Sequence, residues 1–323
     1  MPPGWVAFRQ PPSIFVRQKP DMQPEMGINT STVVGFIGAG RLGASLAVAM
    51  SRCGYRVGAV HRRSTAAAEA VANRIPGAIS TTDAQRIAGQ CGIVFVTTGD
   101  AAIESVVDSL DWGGVDAVVH CSGATPVSSL ASAAGLAAAT GGFHPMQTFP
   151  NEHGDARFEG VTVAIESESS ELRAWLAGLA AALGAHHIFL TPEMRPPYHA
   201  SAVMACGLVA GLVGLAADMW QEMGLTREDG LRALSPLVSA TAEQIGDLGI
   251  PAAITGPYAR GDVETVQAHL DATRRRGRDV FRAYAGLALA QLPIAREQGN
   301  ISEEEYATIE ALLQGVIDSI GNV

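Results

Sequence analysis

The chain has 323 residues, 47% of them apolar and 17% charged, with a formal net charge of -10. That length suggests two domains, each able to bury its own core, and the acidity excludes a nucleic-acid binder, because phosphate contacts need a basic face. All basic residues but Lys19 are arginine, so a mechanism built on a catalytic lysine is excluded as well.

The proline-rich stretch over residues 1–30 reads as a disordered tail with no secretory h-region, and Met26 offers an alternative start. From Thr32 to about Leu190, short apolar runs alternate with helical stretches, which implies βαβ units and a parallel sheet. Strands are expected over 32–37, 55–60, 92–98, 116–122, 139–144, 160–166 and 186–190. After Pro192 helical periodicity takes over, with helices expected near 196–223, 227–248, 262–291 and 302–320. The fold class is therefore α/β: a Rossmann-type dinucleotide-binding domain over 31–190, then an all-α domain over 191–323 for substrate and dimer contacts.

Ala200 to Ala217 is 18 residues without a charge, long enough for a membrane span. It is mostly Ala and Gly with no companion span, so burial in the helical domain, at a homodimer interface, is the preferred reading. The cluster Arg274 to Arg278 reads as a solvated helix face. Cys53, Cys91, Cys121 and Cys206 have no metal-ligand spacing and no signal peptide ahead of them, which favours a reducing cytoplasm. Neither a metal site nor a membrane partner is expected.

"VVGFIGAGRLGASLAVAM" places Gly38, Gly40 and Gly43 in G-x-G-x-x-G register between a strand and a helix. The first glycine permits a tight turn, the second lets a pyrophosphate approach the backbone, and the third lets helix and sheet pack closely; Ala39, Arg41 and Leu42 fill the loop. The second strand leads into His61, Arg62, Arg63 and Ser64, where an NAD enzyme would place an acidic residue. Two guanidiniums and a hydroxyl suit a 2′-phosphate, so the expected cofactor is NADP(H). Thr97, Thr98 and Gly99 end the strand over 92–98, beside the ribose and nicotinamide, and Asp100 is expected to cap the next helix.

Further along, "HCSGA" puts Ser122 at the same sheet edge, while His120 lies earlier in its strand and is expected to pack. His144, followed by proline at a strand end, and His199, opening the long apolar helix, are the alternative proton donors. His153, His186, His187 and His269 have no comparable context. In "ITGPYARGD" a Gly-Pro turn presents Arg260, whose planar fork suits a substrate carboxylate; Asp262 caps a helix from Val263 or orients Arg260.

Taken together, the fingerprint, "HCSGA", "FHPMQTF", "YHASAV" and "ITGPYARGDVETVQAHL" resemble the Rossmann-like and DUF2520 domain-containing proteins, from about Thr32 to Leu292 and in the same order. The resemblance implies an NADP-dependent oxidoreductase with a helical domain similar to that of 6-phosphogluconate dehydrogenase, a dimer, and an active site between the domains. It also brings in reduction of ketopantoate. Where such proteins often carry an asparagine on the long helix, this chain has Cys206 and Gly207. The leading expectation is NADPH-dependent reduction of a small 2-oxo acid, ketopantoate first. A pyrroline-carboxylate type of imine reductase and a non-catalytic NADP-binding regulatory protein are the alternatives.

Overall fold

The computed structural model describes residues 28–136, 138–149 and 156–321; most of the expected tail and His153 lie outside them. At the end of that tail Ile28 is buried, its N–H donates to Glu171 Oε1 at 3.2 Å, and Asn29 accepts from the Trp175 indole at 3.3 Å. Residues 28 and 29 are thus fixed against the domain, where disorder had been expected.

The first compact unit ends at Ala202. It contains β1 (Val34–Ile37), α1 (Arg41–Arg52), β2 (Val57–His61), α2 (Thr65–Ala72), β3 (Ile79–Thr81), α3 (Ala84–Ala88), β4 (Ile93–Val96), α4 (Ile103–Asp108), β5 (Ala117–His120), α5 (Ala131–Ala134), β6 (Ala139–Pro145), β7 (Thr162–Ser167), α6 (Ser170–Ala182), β8 (His186–Phe189) and α7 (Arg195–Val203), whose last residue passes into the second unit. The eight strands form one sheet in the order β3-β2-β1-β4-β5-β6-β7-β8. Pairing is parallel from β3 to β6, as the alternating pattern requires, but β7 runs antiparallel to β6 and β8 parallel to β7. The order reverses between β1 and β4, so a crevice opens at the carboxyl ends of those strands, the place where ligands bind in open α/β sheets.

Both faces of the sheet are covered, which is why the central strands read as continuous apolar runs rather than alternating ones. On one face Phe36, Phe95 and Phe143 pack with Leu172 and Leu176; on the other Ile37, Val94 and Val96 meet Ile103, Trp112 and Leu130. Phe36 and Phe95 stack at 5.2 Å between centroids, and Phe143 meets Phe95 edge-on at 6.1 Å. Strand β3 had no sequence signal, because "IST" is three residues long and two of them are polar.

The second unit starts at Val203. A π-turn over Met204–Leu208 leads to α8 (Val209–Asp218), followed by α9 (Arg227–Leu248), α10 (Pro257–Arg260), α11 (Val263–Arg276), α12 (Arg278–Arg296) and α13 (Glu303–Gly321). The helix expected over 262–291 is two helices, because Gly277 sits at φ 129°, outside the helical region. Its neighbours in the basic cluster are engaged: Arg274 lies 4.9 Å over the Phe281 ring and Arg276 donates to the Asp218 carbonyl at 3.1 Å. The core of this unit joins Tyr258, Val266, Leu270 and Phe281 to Leu292, Ile309 and Leu313.

The expectation that Ala200 to Ala217 is buried does not hold within a single chain. Met204 is 63% exposed and Leu208 61%, and α9, which packs on α8 where Gly230 abuts Ala217, leaves Leu237 62% exposed. The helical run Pro192–Met223 contains an 18-residue window of mean hydropathy 2.1, long and apolar enough to cross a membrane by length and composition. A sequence apolar on every side reports that cover is needed, and the described residues of this chain do not supply it.

Candidate active site

The dinucleotide fingerprint is built as a glycine cradle. Gly38 takes φ 81° at the end of β1, and the N–H groups of Gly38 and Ala39 donate to the His61 carbonyl at 3.1 and 3.0 Å, tying the loop to β2. A Cβ on Gly38 would meet Thr98 Cγ2 at 2.6 Å, and one on Gly43 would meet Thr97 Oγ1 at 2.2 Å. Thr97 Oγ1 in turn donates to the Gly38 carbonyl at 3.1 Å. Gly40 is the N-cap of α1 with no capping side chain, and Arg41, exposed, opens that helix. The first N–H groups of a helix lack intrahelical partners and favour an anion.

Arg62, half-buried, and Arg63, exposed, directly follow β2 at the same sheet edge. Ser64 caps α2, accepting from Ala67 N at 3.4 Å, and burial pushes the His61 imidazole below its ordinary pKa. A cleft of about 220 Å³ lies beyond the cradle, lined by Leu42, Thr97, Thr98, Asp100, Cys121 and Ser122. Thr98 Oγ1 is buried without a hydrogen-bond partner among the described residues. Gly99 precedes a 3-10 turn over Asp100–Ala102; Asp100 stands inside that turn and caps nothing with its side chain, contrary to expectation. A cradle that excludes Cβ atoms, an orphan hydroxyl and two guanidiniums suit a dinucleotide carrying an extra phosphate.

At the same carboxyl edge, the ends of β5 and β6 and the first turns of α7 bring Ser122, His144 and His199 together. Ser122 Oγ accepts from Ala124 N at 3.2 Å and Thr125 N at 2.9 Å, so it holds the turn after β5 while lining the cleft. His120 is fully buried; its Nδ1 accepts from Ser122 N at 3.2 Å, and desolvation with the Arg195 charge pushes it down to about 3. His144 Nδ1 lies 2.8 Å from the Tyr198 hydroxyl, and the His144 and His199 rings stand 6.0 Å apart. A Cβ on Gly123 would lie 2.5 Å from His199 Nδ1 and 2.8 Å from His144 Nε2, so only glycine fits beneath the two imidazoles.

Burial pushes His144 down to about 4, helped by the nearby His199 and Arg195, with Asp100 opposing. Burial pushes Tyr198 up to about 12 against the pull of Arg195. At neutral pH the pair is therefore an uncharged imidazole hydrogen-bonded to an intact phenol.

Two groups at this site carried no signal in the sequence, Glu166 and Arg195, and Tyr198 entered only as the first residue of "YHASAV" with no role of its own. Arg195 Nε and Nη2 donate to Glu166 Oε2 at 3.0 and 2.6 Å, and Nη1 donates to the carbonyls of Ser122 at 2.9 Å and Gly123 at 3.3 Å. Both charges are buried, at 5% and 10% side-chain exposure. Only the spacing of Arg195 from Tyr198 and His199, three and four residues, hinted that all three share a helix face.

Arg260 and Asp262 belong to the second unit. "ITGPYARGD" forms the single helical turn α10 between two left-handed glycines, Gly256 at φ 94° and Gly261 at φ 67°. Tyr258 and Ala259 are buried and Arg260 is exposed. Asp262 is the N-cap of α11: Oδ1 accepts from Thr265 N at 3.0 Å and Oδ2 from Thr265 Oγ1 at 2.7 Å. Those bonds, and secondarily Arg260, hold its carboxyl below the usual range.

Residues 18–145 match the family described as a Rossmann-like domain, and residues 161–290 match the domain of unknown function DUF2520. No curated protein matches the chain. Among solved structures, a candidate NADP oxidoreductase from Bacteroides fragilis is 26% identical, covers 82% of this chain and 99% of its own, and superposes with a TM-score of 0.65. A protein from Thermotoga maritima is 22% identical over 81% of this chain and 99% of its own, with a TM-score of 0.66. An imine reductase from Pseudomonas sp. is 20% identical over 87% and 99%, with a TM-score of 0.57, and is similar in fold.

Proposed function

Because the chain belongs to the Rossmann-like and DUF2520 domain-containing family, we propose that it is an NADP(H)-dependent oxidoreductase of a small molecule, reducing a 2-oxo acid, with ketopantoate (2-dehydropantoate, giving pantoate) as the first candidate. The observation that carries this reading is the His144–Tyr198–His199 group standing at the same sheet edge as the glycine cradle. Bound NADPH supplies the hydride in such a reaction. Gly38, Ala39, Gly40, Arg41, Leu42 and Gly43 are assigned to the pyrophosphate, His61, Arg62, Arg63 and Ser64 to the 2′-phosphate end, and Thr97, Thr98 and Gly99 to the nicotinamide end.

The carbonyl oxygen that becomes an alkoxide needs one proton. A neutral His144 gives its Nε2 proton without forming an imidazolate only as Nδ1 gains the Tyr198 proton 2.8 Å away. The relay leaves a phenolate that solvent reprotonates, and an alkoxide is basic enough to draw a proton through a phenol raised to about 12. His199 stands beside His144 as the alternative donor, and Ser122 orders the turn beneath them. Arg260, exposed on its one-turn helix, is the proposed carboxylate ligand, with Asp262 fixing the backbone that follows it.

One observation favours the second reading, reduction of an imine of the pyrroline-carboxylate type. An iminium arrives with its proton, so a site whose imidazole stays neutral down to about pH 4 suits it without a relay. Absorbance-monitored NADPH oxidation with a panel of 2-oxo acids and cyclic imines tests both readings. Turnover of oxo acids that is lost in Tyr198→Phe supports the relay; turnover of imines alone supports the second reading, and none of either removes the enzyme assignment in favour of a non-catalytic NADP-binding protein.

The exposed apolar faces of α8 and α9 are assigned to a second copy of this chain, giving a homodimer through the helical unit. An apolar surface of this extent marks an interaction site. The protein is proposed to act in the cytoplasm.

A further inference from the structure

We propose that Arg195, locked by Glu166, is the positioning residue of this site: it fixes the Ser122–Gly123 turn against His144, Tyr198 and His199 and does not itself bind substrate. The guanidinium is spent on protein partners. Two of its nitrogens are held by one Glu166 oxygen, and the third reaches two consecutive carbonyls of the turn. With 5% of its side chain exposed, it offers no face to a ligand.

The geometry carries the positioning role along two routes. Arg195 opens α7, and Tyr198 and His199 follow three and four residues later on the same helix face, so anchoring the guanidinium sets the rotation of both. The turn it holds contains Gly123, against which both imidazoles pack so closely that a Cβ would collide with each. Space for the anchor is built into β6: a Cβ on Gly142 would lie 2.8 Å from Arg195 Nη2, and Gly142 pairs in register with Glu166 of β7. His144 is two residues beyond Gly142 on the same strand. A single buried cation thereby ties β5, β6, β7 and α7 at the point where they present the three polar side chains.

A buried ion pair can often be replaced by apolar side chains of similar length without loss of stability, whereas removing one partner is damaging. The double variant Arg195→Met/Glu166→Met therefore separates positioning from stability. We expect it to fold, with a melting temperature lowered only by the two turn carbonyls that lose the Nη1 donor, while the imidazole ¹⁵N resonances of His144 and His199 move and kcat falls at least about tenfold with a smaller change in KM, in line with the cost of misplacing catalytic groups. Arg195→Lys keeps the charge but loses the fork, and the same resonances are expected to move.

Wild-type resonances and wild-type kcat in both variants would reduce the pair to a structural salt bridge and overturn the proposal. If the double variant does not fold, the Arg195→Lys resonances decide alone. The kinetic arm rests on the reductase reading but the spectroscopic arm does not. If no substrate is turned over by the wild type, moved resonances still support positioning and unmoved ones still contradict it.

Discussion

The proposed placement of Arg62 and Arg63 against a 2′-phosphate sets an expected cofactor preference. Each charge-assisted contact to a 2′-phosphate contributes about 1.5–3 kcal/mol, so NADPH should bind at least about tenfold more tightly than NADH. Titration of both cofactors into wild type and Arg62→Ala/Arg63→Ala checks this, the double variant losing the preference while retaining NADH affinity. The histidines make a second residue-scale prediction. His144 and His120 are held at about 4 and about 3, below the ordinary 6.5. Between those values the unfolded chain binds protons that the native chain refuses. Stability is thus complete above pH 6.5 and falls as the pH drops through the window, by about 1.4 kcal/mol for each unit of depression. Melting temperatures should decline from pH 6.5 toward 4, and less steeply in His144→Gln. The glycines and arginines of the fingerprint were legible because their register lies within one βαβ unit. Glu166 and Arg195 were not, since the residues they join are 29 apart and their pairing exists only once β7 and α7 are placed.

Elements were legible wherever burial on both sides leaves an apolar run, as in β1, β4 and β5, and illegible where the backbone decides. Strand β3 is too short to show a pattern, and Gly277 divides a stretch whose side chains read as one helix. The cap at Asp262 was readable, since an acidic residue before a helical run can bond back to its first turn. Asp262→Ala should lower the melting temperature by loss of the Thr265 bonds. The apolar stretch of α8 was recognised as needing cover, but hydropathy cannot say whose surface provides it. Detergent-free light scattering should show a dimer, and Leu208→Glu, at a site 61% exposed in the single chain, should shift it toward monomer. A wild-type protein that is monomeric, or recovered only with membranes, would contradict that assignment.

At the scale of the molecule, a switch-point sheet carries the glycine cradle and the histidine–tyrosine group along one edge, and a helical unit follows from Val203. The class of reaction was readable from the fingerprint and the motifs that accompany it. The substrate was not, because selection among carbonyls and imines depends on where proton donors and carboxylate ligands stand in space, and the neutral state of His144 emerges only from its burial. A neutral His144 backed by Tyr198 is proposed to deliver the proton in an NADPH-dependent reduction. The most direct test is kcat for oxo-acid reduction from pH 6 to 8 in wild type and Tyr198→Phe. Proton delivery by this pair gives a wild-type profile with no inflection from His144, since about 4 lies well below that range, and a loss of about 10²–10⁴-fold in the variant, the usual contribution of general acid catalysis. A Tyr198→Phe enzyme with undiminished kcat, or a wild-type inflection near pH 6.5 that disappears in His144→Gln, would contradict it.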